Sequence, residues 1–282
     1  MIRTARQLKA FVRNLSKGNS TQAQIIIRNY IMERFLERIS LSEYRDNFIL
    51  KGGMLVSAMV GLDTRSTMDI DATIKNLPLT METAQDIIKK IISVPIDDGV
   101  IFTIKNVASI LEEAEYGGIR AALETKIDTM RTPLKVDIST GDVITPQEVA
   151  YQFKLMFEER TISIWAYNLE TVLAEKLETV LSRGTANTRL RDFYDLYVLQ
   201  NDNSRTLDMN VFPKAFEATC SKRQSMPIVS DGNRILSEIK DSEIMMQLWR
   251  SYQKKYSYAE NISWNEVMDA ILKLFIATQQ EK

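Results

Sequence analysis

Apolar positions recur at helical spacing through residues 1–46. Ile25, Ile26, Tyr30, Phe35 and Leu36 line one broad face. Thr21-Gln22-Ala23-Gln24 has the spacing of a capping box and predicts a helix start there. From residue 47 to 167 the period changes. Phe48-Ile49-Leu50 reads as a short buried strand, Gly52-Gly53 breaks it, and residues 54–60 read as a helix. Residues 68–74 alternate with period two, and 80–92 look helical. Residues 100–110, 119–127, 134–139 and 151–165 read as strands, with turns at Gly117-Gly118 and Thr140-Gly141-Asp142. Beyond 167 the helical period returns over 168–181, 187–199 and 262–277. The expectation is an α+β protein in three regions. These are an N-terminal helical arm (1–46), a mixed-sheet core (47–167) and a C-terminal helical region (168–282).

Composition narrows the chemistry. The 282 residues include no His, which excludes a Ser-His-Asp triad, a His general base and a two-His zinc motif. The one Cys, Cys220, excludes an internal disulfide and a thiolate zinc site, and suits a reducing cytoplasm. Any catalysis must therefore use carboxylates, Lys, Arg, Tyr, Ser/Thr or an oxygen-held metal. No apolar run follows the first charges, so no secretory signal is expected. The longest apolar stretch, 48–62, contains Lys51 and two glycines and is too short for a bilayer. A cytoplasmic protein without membrane contact is the expectation.

The net charge of −1 conceals an asymmetry. Residues 1–40 carry eight Lys/Arg and two Glu, so the rest of the chain is net acidic. A basic arm can reach a phosphate backbone or an acidic partner. A solvated amphipathic helix pair gives the same pattern.

Asp69-Ile70-Asp71 lies on the alternating stretch, and residues i and i+2 of a strand share a face. Two carboxylates so placed repel unless a cation lies between them, and Mg2+ takes oxygen ligands. Alone, the pattern also describes a solvated edge strand. Upstream, strand, Gly52-Gly53 and helix form a turn whose backbone N–H groups can hold phosphate. Asp137 stands between Val136 and Ile138 and faces away from them, as a third ligand or as a solvent-facing acid. On the helix 168–181, Lys176 falls inside the stripe of Leu169, Val172, Leu173 and Val180. An inward ammonium needs a partner or an anion, unless its stem carries it out to water. The next helix carries Arg189-Leu190-Arg191-Asp192-Phe193-Tyr194-Asp195. Its Arg191, Asp192 and Asp195 either face Lys176 or pair among themselves at the surface.

These segments, in this order, resemble one known group. They are Lys51-Gly52-Gly53-Met54-Leu55, Arg65-Ser66-Thr67-Met68-Asp69-Ile70-Asp71, Val136-Asp137-Ile138, Glu175-Lys176-Leu177 and Arg189-x-Arg191-Asp192-x-x-Asp195. The sequence resembles the AbiEii/AbiGii abortive-infection toxins, nucleotidyltransferases of the DNA polymerase β-like superfamily. The resemblance covers about residues 48–199. It implies a polymerase β-like nucleotidyltransferase core sheet flanked by the helical arm and the helical C-terminal region. It implies Mg2+ on Asp69, Asp71 and Asp137, and a nucleoside triphosphate held by Gly52, Gly53, Arg65, Thr67, Lys176, Arg191, Asp192 and Asp195. Lys176 would also serve in catalysis. Where the superfamily motif has Gly-Ser, this chain has Gly52-Gly53, a usual form among the toxins. Fifteen residues separate Gly53 from Asp69, more than in the minimal motif.

The function so implied is that of a toxin of a toxin–antitoxin pair in phage defence, moving a nucleotide from an NTP to RNA, with a tRNA 3′ end as the acceptor. A winged-helix antitoxin is the implied partner. Two other functions use the same residues. One is nucleotide binding without turnover, and the other is transfer to a protein or small-molecule hydroxyl.

Overall fold

The computed structural model describes residues 1–110 and 117–279. The described residues form two compact units. The first comprises Met1–Met59, Ser66–Asp142 and Val149–Ala166. The second comprises Val60–Arg65, Val143–Glu148 and Tyr167–Lys282.

The first unit opens with helices α1 (Ala5–Ser16) and α2 (Ser20–Leu41). Strand β1 (Phe48–Lys51), helix α3 (Gly52–Val60), strand β2 (Ile70–Ile74) and helix α4 (Met81–Ile92) follow. Then come β3 (Ile101–Ile110), β4 (Gly118–Ile127), β5 (Met130–Thr140), β6 (Val149–Lys154) and β7 (Thr161–Ala166). The strands make one mixed sheet in the order β3-β4-β5-β2-β1-β7-β6. Its centre is set by β2, antiparallel to β1 and parallel to β5.

Period-two patterning explains the two faces of that centre. Ile70, Ala72 and Ile74 of β2, Leu134, Val136 and Ile138 of β5, and Ile119, Ala121 and Leu123 of β4 are all buried. The residues between them, including Asp71, Asp137 and Arg120, project to the opposite face. Helices α2 and α4 pack against the sheet, and α1 packs on α2.

The arm is the helix pair that its charge pattern allowed, parted by the positive φ of Lys17 and Gly18. Two boundaries differ from the sequence expectation. Asn19, not Thr21, caps α2, its side chain accepting from Gln22 N–H. Residues 151–165 are a hairpin rather than one strand: β6 and β7 pair antiparallel, closed by Leu155 N–H on Arg160 O. The arm and the core, expected as separate regions, share one unit, because Leu8, Val12 and most of α2 are buried within it.

Helix α2 carries charge into that core. Arg38 makes a bidentate bond to buried Asp98, at 2.7 and 2.9 Å. Glu33 accepts from Met156 N–H at 2.7 Å and from Asn29 at 3.0 Å. Burial, with Glu158 close by, pushes its carboxyl up to about 8, against the partial opposition of the Met156 bond and Arg34. The unfolded chain releases that proton near pH 4.3. The folded state therefore binds more protons between these values. Stability is full below the unfolded value and is lost as pH rises through about 8. Glu33→Gln is expected to remove this decline, read as a flatter dependence of Tm on pH between 5 and 9.

The second unit is helical. It contains α5 (Leu169–Arg183), α6 (Leu190–Gln200), α7 (Phe212–Lys222), α8 (Met226–Val229), α9 (Gly232–Asp241), α10 (Glu243–Lys255) and α11 (Trp264–Ala277). Helix α5 packs against α6, α7 and α9. Val172, Leu173, Ala174, Leu177, Val180 and Leu181 are buried around its circumference, which explains why its apolar face is so wide. Asn168 caps it through Thr171 N–H and donates to the carbonyls of Thr145 and Gln147. No helix among the described residues is long and apolar enough to cross a membrane.

Candidate active site

Sheet register brings four charged residues into one row. Lys51 of β1 is opposite Asp71 of β2, Asp71 is opposite Asp137 of β5, and Asp137 is opposite Arg120 of β4. Register partners point to the same face, so the row reads cation, acid, acid, cation. Arg120 grips Asp137 with both arms, Nε to Oδ1 at 2.7 Å and Nη2 to Oδ2 at 2.6 Å. Lys51 Nζ reaches Asp142 Oδ2 at 2.5 Å, and Ser139 donates to the same oxygen.

Asp71 bears the electrostatic load of the row. Burial and the neighbouring Asp137 raise its carboxyl above the ordinary range, while Lys51 and Gly53 N–H pull the other way. Gly53 N–H donates to Asp71 Oδ2 at 3.3 Å. Asp69 stands one residue before β2, which begins at Ile70, so it enters the row from a bend rather than from the strand expected over 68–74. It still adds its negative charge to Asp71. Thr67 is buried, its hydroxyl turned to Asp69 O at 3.4 Å.

Gly52 is fixed by this arrangement. Its φ is +63°, and a Cβ there would stand 2.2 Å from Asp71 Oδ2. Only glycine allows the chain to turn from β1 into α3 beneath that carboxylate. Gly52→Ala is expected to cost about 1–2 kcal/mol in backbone strain alone. Displacement of Asp71 comes on top, so both Tm and activity fall.

The second unit carries the other group of expected residues. Lys176 Nζ lies 2.7 Å from Asp195 and 3.0 Å from Asp192. Arg65 makes a bidentate bond to Asp195, at 2.6 and 3.2 Å. Burial acts to lower the Lys176 ammonium, but Asp195 and Asp192 outweigh it and hold the group above its ordinary value. For Asp195 burial acts upward, and Arg65 and Lys176 outweigh it, holding the acid low. Lys176 does not snorkel out, since its side chain is 12% exposed. The surface pair Arg191–Asp195 does not form either. Asp195 is buried, and Arg191 turns to the Tyr256 hydroxyl at 3.0 Å. Burial would raise the Tyr256 phenol, but this bond outweighs it and lowers the group.

Sequence reasoning assigned no role to Arg120. One signal was present: Arg120 is polar between apolar Ile119 and Ala121, as Asp137 is between Val136 and Ile138.

The donor chemistry of the row suits a hard cation. All its ligating atoms are carboxylate oxygens. Lys51 and Arg120 bring two positive charges to Asp69, Asp71, Asp137 and Asp142, which leaves negative charge for a divalent ion to answer. Among the described residues no three acidic or Cys side chains stand close enough together to hold a metal ion.

A seven-stranded mixed sheet with paired acids at its centre, followed by a helical unit, is an α+β architecture found among nucleotidyltransferase-like folds. The fold resembles that of a Helicobacter pylori protein assigned as a nucleotidyltransferase. That match has a TM-score of 0.50 and 14% identity, over 91% of this chain and 93% of the other. A second H. pylori structure matches at 0.49 and 14%, over 91% and 90%. A nucleotidyltransferase-like antigenic protein of Paracoccidioides brasiliensis matches at 0.38 and 12%, over 82% and 94%. The comparison with curated proteins finds no match. Residues 34–270 match the model of the nucleotidyl transferase AbiEii toxins of type IV toxin–antitoxin systems. The chain belongs to that family. It is a toxin nucleotidyltransferase, and the family implies an antitoxin partner.

Proposed function

We propose that the chain uses Mg2+ to transfer a nucleoside monophosphate from an NTP to the 3′ end of an RNA, a tRNA above all. The observation that carries this reading is the Asp71–Asp137 pair on adjacent strands, beside the Gly52-Gly53 turn and with Asp69 at its entrance. Asp71 and Asp137, with Asp69 drawn in from its bend before β2, would hold the ion. When bound, it polarises the phosphoryl oxygens and lowers the pKa of the attacking hydroxyl. The acceptor oxygen bonds to the α-phosphorus, the bond to the bridging oxygen breaks, and pyrophosphate leaves. One of the three carboxylates takes the hydroxyl proton, which suits a chain without His.

Gly52 and Gly53 let phosphate approach the first turn of α3 without side-chain obstruction. Lys176 has the chemistry of a phosphate contact, an ammonium kept charged and aimed by Asp192 and Asp195. Arg65, Thr67 and Arg191 belong to the same proposed nucleotide-binding set. RNA as acceptor is supported by α1, which exposes Arg6, Lys9 and Arg13 on one short helix. The proposed antitoxin is of winged-helix type, and abortive infection of phage-struck cells in the cytoplasm is the proposed setting.

Transfer of labelled nucleotide to total RNA, with each NTP and Mg2+, tests the reading. Label on tRNA from the wild type, lost in Asp69→Ala and Lys176→Ala and weakened by added salt, is the expected result. No label on RNA with any NTP, or transfer untouched by both substitutions, overturns it.

A further inference from the structure

A cation already occupies one of the proposed metal ligands, and it belongs to the chain itself. Arg120 donates to both oxygens of Asp137, through Nε and Nη2. A forked pair of this kind is among the stronger hydrogen-bonded contacts of a side chain. As an ordinary cross-strand pair it would contribute only modestly to stability. Its setting is not ordinary. The next strand along the row carries Asp71, and both Asp71 and Asp69 add to the electrostatic pull on Arg120. The guanidinium therefore offsets negative charge where Asp137 stands beside Asp71. Its own side chain is 42% exposed while Asp137 is 20% exposed, so Arg120 has a solvent-side path away from the carboxylate.

We infer that Arg120 is an internal counterion that competes with the divalent cation for Asp137 and so weakens the metal affinity of the site. The inference rests on the metal-dependent reading above. Without Arg120, Asp137 and Asp71 would repel across adjacent strands. With it, the row is held together, and an incoming ion must displace or oppose a positive charge. A unit charge roughly 5 Å from a divalent ion lowers its affinity by about tenfold or more between water and a protein-surface dielectric. Arg120 is thus a positioning residue, acting on the ion through Asp137.

Mn2+ binding in the absence of nucleotide, measured by calorimetry or by the electron-spin signal of free Mn2+, tests this. Arg120→Ala and Arg120→Gln are expected to bind Mn2+ about tenfold more tightly than the wild type. The glutamine variant keeps hydrogen-bonding groups but not the charge. Adding Asp137→Asn to either is expected to cancel the gain, as a coupled pair requires. Thermal unfolding with a chelator present checks that each variant is folded. Mn2+ binding that is lost in Asp71→Asn but unchanged or weaker in both Arg120 variants overturns the inference and leaves the metal reading standing. Absence of Mn2+ binding in the wild type and in both Arg120 variants overturns both.

Discussion

Asp71→Asn is expected to lower nucleotidyl transfer by at least about a thousandfold while raising the melting temperature. On the proposed mechanism, the loss of rate follows from removing one of the carboxylates that would hold the ion, whose charge stabilisation would be the main source of acceleration. The gain in stability has an independent cause. Burial and Asp137 hold the Asp71 carboxyl above its ordinary range in the folded state. An acid so raised contributes stability that is fully present below its unfolded value, near 3.9, and is lost as pH rises through the folded value. Asparagine has no charge to lose. The advantage of Asp71→Asn in Tm should therefore grow from about pH 4 upward. Added Mg2+ should stabilise the wild type more than the variant. A variant that is both less stable than wild type at neutral pH and fully active would contradict the account on both counts. A site that costs its fold stability is a known exchange for function.

The largest loss of stability is expected at Asp195. Its carboxylate is buried and serves both Arg65 and Lys176. Asp195→Ala deprives two buried cations of the acid they share. Removing one partner of a buried ion pair costs about 3–5 kcal/mol, and Lys176 keeps Asp192, so a loss of about 3 kcal/mol is expected. In a chain of this size that is a fall in Tm of roughly ten degrees. Asp195 is held below its ordinary value, so its contribution is present above about pH 3.9 and is lost as pH falls through the folded value. Wild type and variant should therefore converge in strong acid. Replacing Arg65 with Met in the Asp195→Ala background should recover part of the loss, because one buried cation goes with the acid. Equal melting temperatures for wild type and Asp195→Ala at pH 7 would refute the pairing as a source of stability.

Much of the fold is legible in the pattern of residues. The strand at Phe48–Lys51, the break at Gly52 and the helix over Met81–Ile92 follow from local period and turn chemistry. Lys176 was legible in part: its place within an apolar stripe called for a partner or an anion, or else a stem reaching out to water, and the structure supplies Asp195 and Asp192. The errors have a common source. Residues 151–165 alternate well enough to look like one strand, and only the pairing of Phe153 with Ile162 reveals two. Thr21 has the spacing of a cap, but Asn19 is two residues earlier and takes the role, since the chain turns at Lys17 and Gly18. Arg120 escaped notice because a polar residue on an alternating strand is ordinary until its cross-strand neighbour is known.

The sequence by itself determined which residue types are present to do chemistry. Without His, and with one Cys, the site had to be built from carboxylates, Lys, Arg, Tyr, Ser/Thr or an oxygen-held metal. It also determined that Asp71 and Asp137 face away from the apolar core, because period two admits no other choice. What the tertiary structure decided is which of these meet. Register set Asp71 opposite Asp137 across strands that are far apart in the chain, and Asp137 opposite Arg120 across the β4–β5 hairpin. Helix packing set Asp195 between Arg65 and Lys176. Local patterning records the direction of a side chain, whereas its charged neighbours are fixed by contacts between segments that no local pattern encodes.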